Sequence, residues 1–592
     1  MSRSVSSNTP AIPHISSTKQ VLERWEYEYP DRVGSIGIDG RGLTWKEIAT
    51  STRTLAGRLE QAGIGAGDRV AVMAGRSRYA LSSLLAIWKN GSSAVLLDER
   101  HPVERLRWIT RDSACSALVS SEPDAADLGP VVIGASGSGT AAAGRPLVGR
   151  GDDKWASYEP GSEAYVVYTS GTTGRPKGVR VGFAGLENFL ANAESLGYRT
   201  GSRAASVVSP GFDGWLWSVL TPFVNGVTCV AIDTALGNVE KTLVAQEIDN
   251  LCMTPSLYAS IEKLPEAEVA VVAGERCPDS LVATLQDIAD RVINVYGPTE
   301  TTIAATMSDT ARREDPRTIG RPMSGYTVTV VDADLNEVPS GVPGEVLIGG
   351  TGVALGYIGT SGPDADRFVT LDGARCFRTG DLGVLGDDGQ LSFLGRADNQ
   401  VKIGGFRVEL EEIESIAWEV PGIESAVAYV RGDPFTLAIG LQTASGTSLD
   451  DGLRKRLTSA FASRLPRQLC PTFMHRVTDV PLEPTGKVSR REVAALGEAE
   501  LSGALECVVP APVRADRERH VLDSVLAAWN DVFGHSVAED SDFFAIGGHS
   551  VIAAQLASRI ETRLEAPVSI TDVLTTGTPR ALADRIEEAR PA

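Results

Sequence analysis

A run of hydroxyls, glycines and one lysine, "YVVYTSGTTGRPKGV" at 165–179, is the stretch of this chain best suited to chemistry. An apolar strand-like segment leads into Thr169, Ser170, Gly171, Thr172, Thr173 and Gly174, and Lys177-Gly178 follows. Glycines let the backbone fold close to a ligand, hydroxyls donate to phosphate oxygens, and the lysine adds a positive charge. Phosphate binding is the expected chemistry. No G-x-x-x-x-G-K-[ST] pattern runs through it, so it is not a Walker A loop. A second stretch, "DSDFFAIGGHSVIAAQL" at 540–556, sets Ser550 between a Gly-Gly-His turn and an apolar helix. His549 is badly placed to take its proton, because adjacent residues on a turn or helix start point apart. The flanks lack a G-x-S-x-G elbow. Nucleophile, helix cap and attachment point all stay open until the rest of the chain is read.

The elements that must hold these loops alternate. From about 16 to 395, apolar strand runs such as "DRVAVMA", "SSAVLLD", "VAVVAGE" and "RVINVYG" interleave with helical runs such as "SRYALSSLLAIWKNG". Buried strands between helices predict an α/β layered domain with a largely parallel sheet. The low-complexity stretch "GASGSGTAAAG" at 134–144 reads as a surface loop. A second unit spans 396–500, a Pro-bearing linker 501–514, and 515–592 carries three helical patterns without strands, a small bundle. Residues 1–15 are polar and lack an apolar core, which predicts a disordered tail and no signal peptide.

With 592 residues the chain exceeds one core. Its 56 basic and 76 acidic residues give a net charge of −20, which disfavours nucleic acid and anionic membrane surfaces as partners. Seven scattered cysteines without a C-x-x-C pair read as reduced thiols. No run approaches a membrane span. A cytoplasmic protein is expected.

At this point the chain resembles a known group. "YTSGTTGRPKGV" is similar to the phosphate-loop signature of the adenylate-forming superfamily, and further segments follow in the order of amino-acid adenylation domains of nonribosomal peptide synthetases. They are "LTWKEI", "LDERHPVERL", "NVYGPTETTI", "GEVLIGG", "RTGDLG", "GRADNQVKIGGFRVELEEIE" and "PTGKVSR". The Gly-Gly-His-Ser stretch resembles the attachment motif of a peptidyl carrier protein. The resemblance spans about 18–590. It implies a large adenylation core, a small mobile α+β subdomain and a four-helix carrier bundle.

It also implies roles. Thr172, Lys177 and the mobile Lys487 would serve catalysis, Lys487 by stabilising charge at the α-phosphate. Thr169, Ser170, Gly171, Thr173, Gly174, Tyr296, Thr299, Asp381 and Arg396 would bind ATP, with Tyr296 offering a flat face to the purine and Asp381 accepting the ribose hydroxyls. Glu300 matches the magnesium ligand, since a hard cation bridging phosphates needs a carboxylate oxygen. Asp398 matches the hinge. Ser550 becomes the 4'-phosphopantetheine site, modified by a separate phosphopantetheinyl transferase, with Phe543 and Phe544 anchoring the loop before it.

In "SPGFDGWLW", Asp213 matches the residue that holds an α-ammonium group, so the substrate should be an α-amino acid. The rest of the pocket reads Gly214, Trp217, Cys252, Val271, Ala273, Val295, Ile303 and Ala304. None is charged and several are small. An apolar slot beside one indole favours an aromatic amino acid, tryptophan first, then phenylalanine or tyrosine, then large aliphatics. The expected reaction forms aminoacyl adenylate and transfers the acyl group to the chain's own carrier. A condensation domain or a tailoring oxidase would take it onward, and the resemblance allows for an MbtH-like activator. A CoA ligase-like enzyme and a non-catalytic carrier scaffold are the rival readings; "RVGFAGLENF" and "LPRQLCPTFM" depart locally from the family pattern.

Overall fold

The computed structural model describes residues 5–6, 17–121, 128–129, 131–136, 154–159, 161–171, 176–234, 239–261, 263–359, 365–397, 400–403, 406–431, 436–444, 447–481, 488–505, 516–533, 537–541, 543, 550–564, 568, 572–573 and 576–589. Two sheets with parallel centres form the bulk of the core. In the first, the strand Glu163–Thr169 lies parallel to Ser93–Leu96 on one side and antiparallel to Lys177–Gly182 on the other. In the second, Arg203–Ser206, Asn250–Met253, Ala267–Ala273 and Ala289–Tyr296 run parallel in that order. These strands are nearly unbroken apolar runs because helices cover the sheets. Helix Ala80–Lys89 is buried at all ten positions and packs on Gly214–Asn225, and the same cluster takes in residues of both sheets. The interleaved pattern in the sequence thus corresponds to an α/β core.

A third, antiparallel sheet contains Tyr326–Val331, Gly344–Gly350, Ala374–Leu385 and Leu391–Arg396. Within the segment read as a tail, Val5 and Ser6 pair with Val328 and Thr327 at its edge, where unpaired amides of an edge strand accept a partner. The hairpin Gln400–Ile403/Phe406–Glu409 opens the next unit, in which helices Leu410–Trp418 and Asp451–Arg464 pack on Ile423–Arg431 and Thr436–Thr443 around their own core. Three long helices, Asp516–Phe533, Ser550–Leu564 and Pro579–Ala589, enclose a separate cluster near the C-terminus. Phe543 is fully buried there against Trp529 and Phe533, while Phe544 lies outside the described residues. So do 137–144 of the low-complexity stretch. The six described cysteines are free thiols.

One short turn ties the sheets together. The 3-10 turn Thr299–Thr301 begins two residues after the strand ends at Tyr296, past Gly297 and Pro298, and the next two residues have φ of 57° (Thr302) and 68° (Ile303). Left-handed backbone is unfavourable for L residues, most of all β-branched ones, at about 1–3 kcal/mol each. Surrounding contacts hold it. The Tyr326 hydroxyl donates to the Thr301 carbonyl at 2.9 Å, the Thr302 hydroxyl to the Gly352 carbonyl at 2.6 Å, and the Ala354 amide to the Glu300 carbonyl at 2.8 Å. Gly352 must be glycine, because a Cβ would lie 1.9 Å from the Tyr326 oxygen. Replacing Tyr326 with Phe removes a buried donor and should lower stability by about 1–2 kcal/mol. Urea unfolding of the two proteins measures it, and a midpoint unchanged with the same slope would show that the turn holds itself.

Candidate functional site

The strand Glu163–Thr169 delivers the hydroxyl loop, and its register with Lys177–Gly182 sets Thr169 opposite Lys177. Thr169, Ser170 and Gly171 are buried. Thr172, Thr173 and Gly174 lie outside the described residues. Lys177 Nζ stands 3.9 Å from Glu300 Oε1 and 5.0 Å from the centre of the Tyr357 ring, whose hydroxyl donates to the same Glu300 oxygen at 2.7 Å. Glu300 has no exposed surface. A carboxylate this deep needs compensating charge and donors, and Lys177 and Tyr357 supply them. Nothing in "LGYIG" marked Tyr357 beforehand.

A cavity of about 580 Å³ runs beside this pair. Asp213, Trp217, Thr169, Thr299, Asp381 and Arg396 are among its lining residues. Lys177 and Glu300 are absent from its wall, since each is turned toward the other. β-Pairing sets Asp381 opposite Arg396. Arg396 donates to one Asp381 oxygen at 2.5 Å and the Tyr296 hydroxyl donates to the other at 2.5 Å. The sequence reading of Tyr296 as a flat platform missed this contact: its ring lines the cavity while its hydroxyl orients the carboxylate.

Asp213 stands just before helix Gly214–Asn225 without capping it. Its Oδ2 is buried with no hydrogen-bond partner, an orphan atom in a cavity wall that fits a missing cationic ligand. Burial pushes its pKa up to about 6, with the Glu300 charge adding to the rise, against hydrogen bonds from the Thr299 side chain and the Ile303 amide. Gly214, Trp217, Cys252, Ala273, Val295 and Ile303 share the wall. Val271 and Ala304, expected in the pocket, are not part of it. Val271 pairs with Cys252 and sits wholly within the core, and Ala304 is 1 % exposed. Trp217 is both wall and core, packed edge-on against Phe189 with centroids 5.7 Å apart. His101, Asp98 and Arg76 also line the cavity. The motif "LDERHPVERL" displayed the first two, but gave no sign that they face the same space.

The small unit meets this site. The Glu409 amide donates to Ser170 Oγ at 3.1 Å, and Phe212 packs against the small unit's core. Asp398 and Lys487 lie outside the described residues. Ser550 is the first residue of its helix. Among the described residues no group of three or more His, Cys, Asp or Glu could hold a metal ion. A magnesium ion held by one carboxylate and phosphate oxygens needs no such group, and Glu300 is the buried carboxylate beside Lys177.

Residues 22–358 match the family described as AMP-binding enzyme, and 523–586 match the phosphopantetheine attachment site. Novobiocin biosynthesis protein H of Streptomyces niveus is 33% identical over 579 residues, covering 94% of each chain. Tyrocidine synthase 3 of Brevibacillus parabrevis is 31% identical across 96% of this chain, which spans 9% of that protein. Among solved structures, holo-PA1221, a nonribosomal peptide synthetase protein with adenylation and peptidyl carrier domains bound to a vinylsulfonamide inhibitor, shares the fold at TM-score 0.74, covering 96% of each chain at 22% identity. No helix among the described residues is long and apolar enough to cross a membrane.

The raised pKa of Asp213 has a sign. Between the ordinary carboxylate range and pH 6 the folded protein binds more protons than the unfolded one, so stability falls as pH rises through that window. Above pH 6 the ionised, desolvated carboxylate lowers stability by up to about 3 kcal/mol. Asp213→Asn should therefore raise the melting temperature of the free protein at pH 8 and not at pH 4. Equal shifts at both pH values would mean that the carboxylate is better solvated than its surroundings indicate.

Proposed function

The chain belongs to the AMP-binding enzymes of the nonribosomal peptide synthetase type, with a phosphopantetheine carrier in the same polypeptide, and on that premise we propose that it activates an aromatic α-amino acid, tryptophan first, and loads it onto its own carrier. The observation that carries the substrate class is the orphan oxygen of Asp213, which shares the cavity wall with the uncharged Gly214, Trp217, Cys252, Ala273, Val295 and Ile303. An ammonium group entering there gains a charge-assisted hydrogen bond where water is scarce, and it draws the carboxylate into its ionised form. A side chain bearing a second charge would find no partner among Gly214, Trp217, Cys252, Ala273, Val295 and Ile303. The indole of Trp217 offers an aromatic ring a stacking partner.

The other residues divide the work. ATP occupies the cavity toward Asp381, whose two oxygens are held in place by Tyr296 and Arg396 and accept the ribose hydroxyls. Thr169, Ser170, Gly171, Thr172, Thr173 and Gly174 cradle phosphates, and Lys177 turns from Glu300 toward them. Glu300 would hold magnesium, which supplies charge neutralisation on the phosphate oxygens. Lys487 reaches the α-phosphate and substrate carboxylate from the small unit, which turns about Asp398. The phosphopantetheine arm on Ser550 supplies the thiol that takes the acyl group. ATP and the amino acid are the substrates, and a phosphopantetheinyl transferase is a required partner. An MbtH-like activator and a downstream condensation domain or oxidase complete the expected set, in the cytoplasm. A CoA ligase-like enzyme would not need Ser550, and a carrier scaffold would not need the Asp381 clamp.

The holo protein, given ATP, magnesium and a mixed amino-acid pool, should gain the mass of one aromatic residue at Ser550. A gain matching a small or charged amino acid would overturn the pocket assignment and leave the enzyme class. Trp217→Ala should lower kcat/KM for that aromatic substrate about tenfold in pyrophosphate exchange, the loss expected for one ring contact of about 1.5 kcal/mol. An unchanged value would make Trp217 a core residue alone.

A further inference from the structure

His101 lines the same cavity as Asp213, yet the assignments above leave it without a role. Both of its ring nitrogens are buried and neither has a hydrogen-bond partner. A neutral imidazole carries one donor and one acceptor, and leaving both unsatisfied in a cavity wall is unfavourable unless a ligand meets them. The ring is neutral at working pH: burial, and then the nearby Arg105 charge, pull its pKa down to about 4 against the opposing pull of Asp98. Its place is well fixed. The backbone amide donates to the Asp98 carbonyl at 2.9 Å, and Cε1 lies 2.8 Å from where a Cβ on Gly211 would be, so the ring fits only because that residue, two before Asp213, is glycine.

The location decides what the ligand is. Four residues on, Arg105 crosses to the small unit, donating to Glu412 at 3.2 Å and to the Arg464 carbonyl at 3.3 Å. Phe212, between Gly211 and Asp213, packs on the core of that same unit. His101 therefore stands where the seam between the two units meets the cavity, and it is not among the groups that hold Asp381. A ligand reaching the acyl group along this seam must be thin, and inside protein it must satisfy its own polar groups. The phosphopantetheine arm is such a ligand: a flexible chain with two secondary amides, each with one N–H and one C=O. The imidazole acceptor and donor match an amide's donor and acceptor.

We propose that His101 hydrogen-bonds an amide of the carrier's phosphopantetheine arm and so positions the thiol for acyl transfer. This deepens the carrier-loading reading and rests on it. His101 touches the arm and not the reacting atoms, so it is a positioning residue. Its loss should weigh on the second half-reaction more than on the first.

The test measures both half-reactions on the full-length holo protein: amino-acid-dependent pyrophosphate exchange, and single-turnover loading of the arm by intact mass. For His101→Ala, the ratio of loading rate to exchange rate should fall roughly three- to tenfold, the range for loss of one hydrogen bond. His101→Gln, which keeps a donor and an acceptor, should recover most of that ratio. Free pantetheine, offered to a Ser550→Ala protein with no arm of its own, should be acylated more slowly when His101 is also replaced by Ala. That result assigns the effect to the arm and not to carrier docking. A parallel fall in exchange and loading would overturn the proposal and make His101 a structural or substrate-pocket residue. An unchanged ratio would overturn it as well. Should His101→Ala fail to fold, His101→Phe against His101→Gln gives the same comparison. A wild-type protein that exchanges pyrophosphate but never loads its arm would instead overturn the carrier-loading reading itself.

Discussion

A carboxylate with no exposed surface, Glu300, is the constraint around which the catalytic region is arranged. Burying such a charge is tolerable only where a counter-charge and donors await it, and Lys177 and Tyr357 come from two neighbouring strands of one sheet to meet it. To present Glu300 there, the chain passes through left-handed backbone at Thr302 and Ile303. Packing and hydrogen bonds from Tyr326, Gly352 and Ala354 override that local cost. The same strained turn then reaches Asp213, because the Ile303 amide and the Thr299 side chain hydrogen-bond its carboxylate while the Glu300 charge opposes its ionisation. The Lys177–Glu300 pair and the Asp213 carboxylate are thereby linked through five consecutive residues, 299–303.

Asp213 lies at one end of that chain of contacts. Its environment disfavours the ionised form. Above pH 6 the ionised carboxylate lowers the stability of the free protein, and one of its oxygens has no hydrogen-bond partner. In the same cavity wall, Asp381 has both oxygens occupied by donors, Tyr296 on one and Arg396 on the other. One carboxylate is left short of partners, and the other is fully held.

The small unit contributes more than a cover. Its hairpin reaches Ser170 through the Glu409 amide, and the largely buried Arg105–Glu412 pair ties it to the helix that follows His101. A polar seam of this kind leaves water or a polar ligand something to bond, whereas a purely apolar one would seal. Lys241 and Glu561, at 3.2 Å, are an exposed contact between the core and the helices near the C-terminus, and such surface pairs are worth little in stability.

Much of this was legible in the chain itself. Alternating apolar runs follow from strands buried on both faces, and hydroxyl, glycine and lysine spacing in "TSGTTGRPKG" follows from what a phosphate needs, so fold class and the nature of the nucleotide site are local properties of sequence. Asp213 and Glu300 could be named because each sits in a distinctive short segment. Their states could not, because desolvation depends on everything packed around a carboxylate and not on its sequence neighbours. Val271 and Ala304 were expected in the pocket from linear order, and only core packing shows them covered, Val271 at 0 % and Ala304 at 1 % exposure, although Val271 pairs with the wall residue Cys252. Tyr357, 57 residues from Glu300, and Tyr296 on Asp381 are contacts across sheets that no spacing rule reaches. His101 lay in plain view within "LDERHPVERL". That it has two unpartnered nitrogens beside the seam was decided by tertiary structure alone, since satisfaction of a polar group is a property of its surroundings.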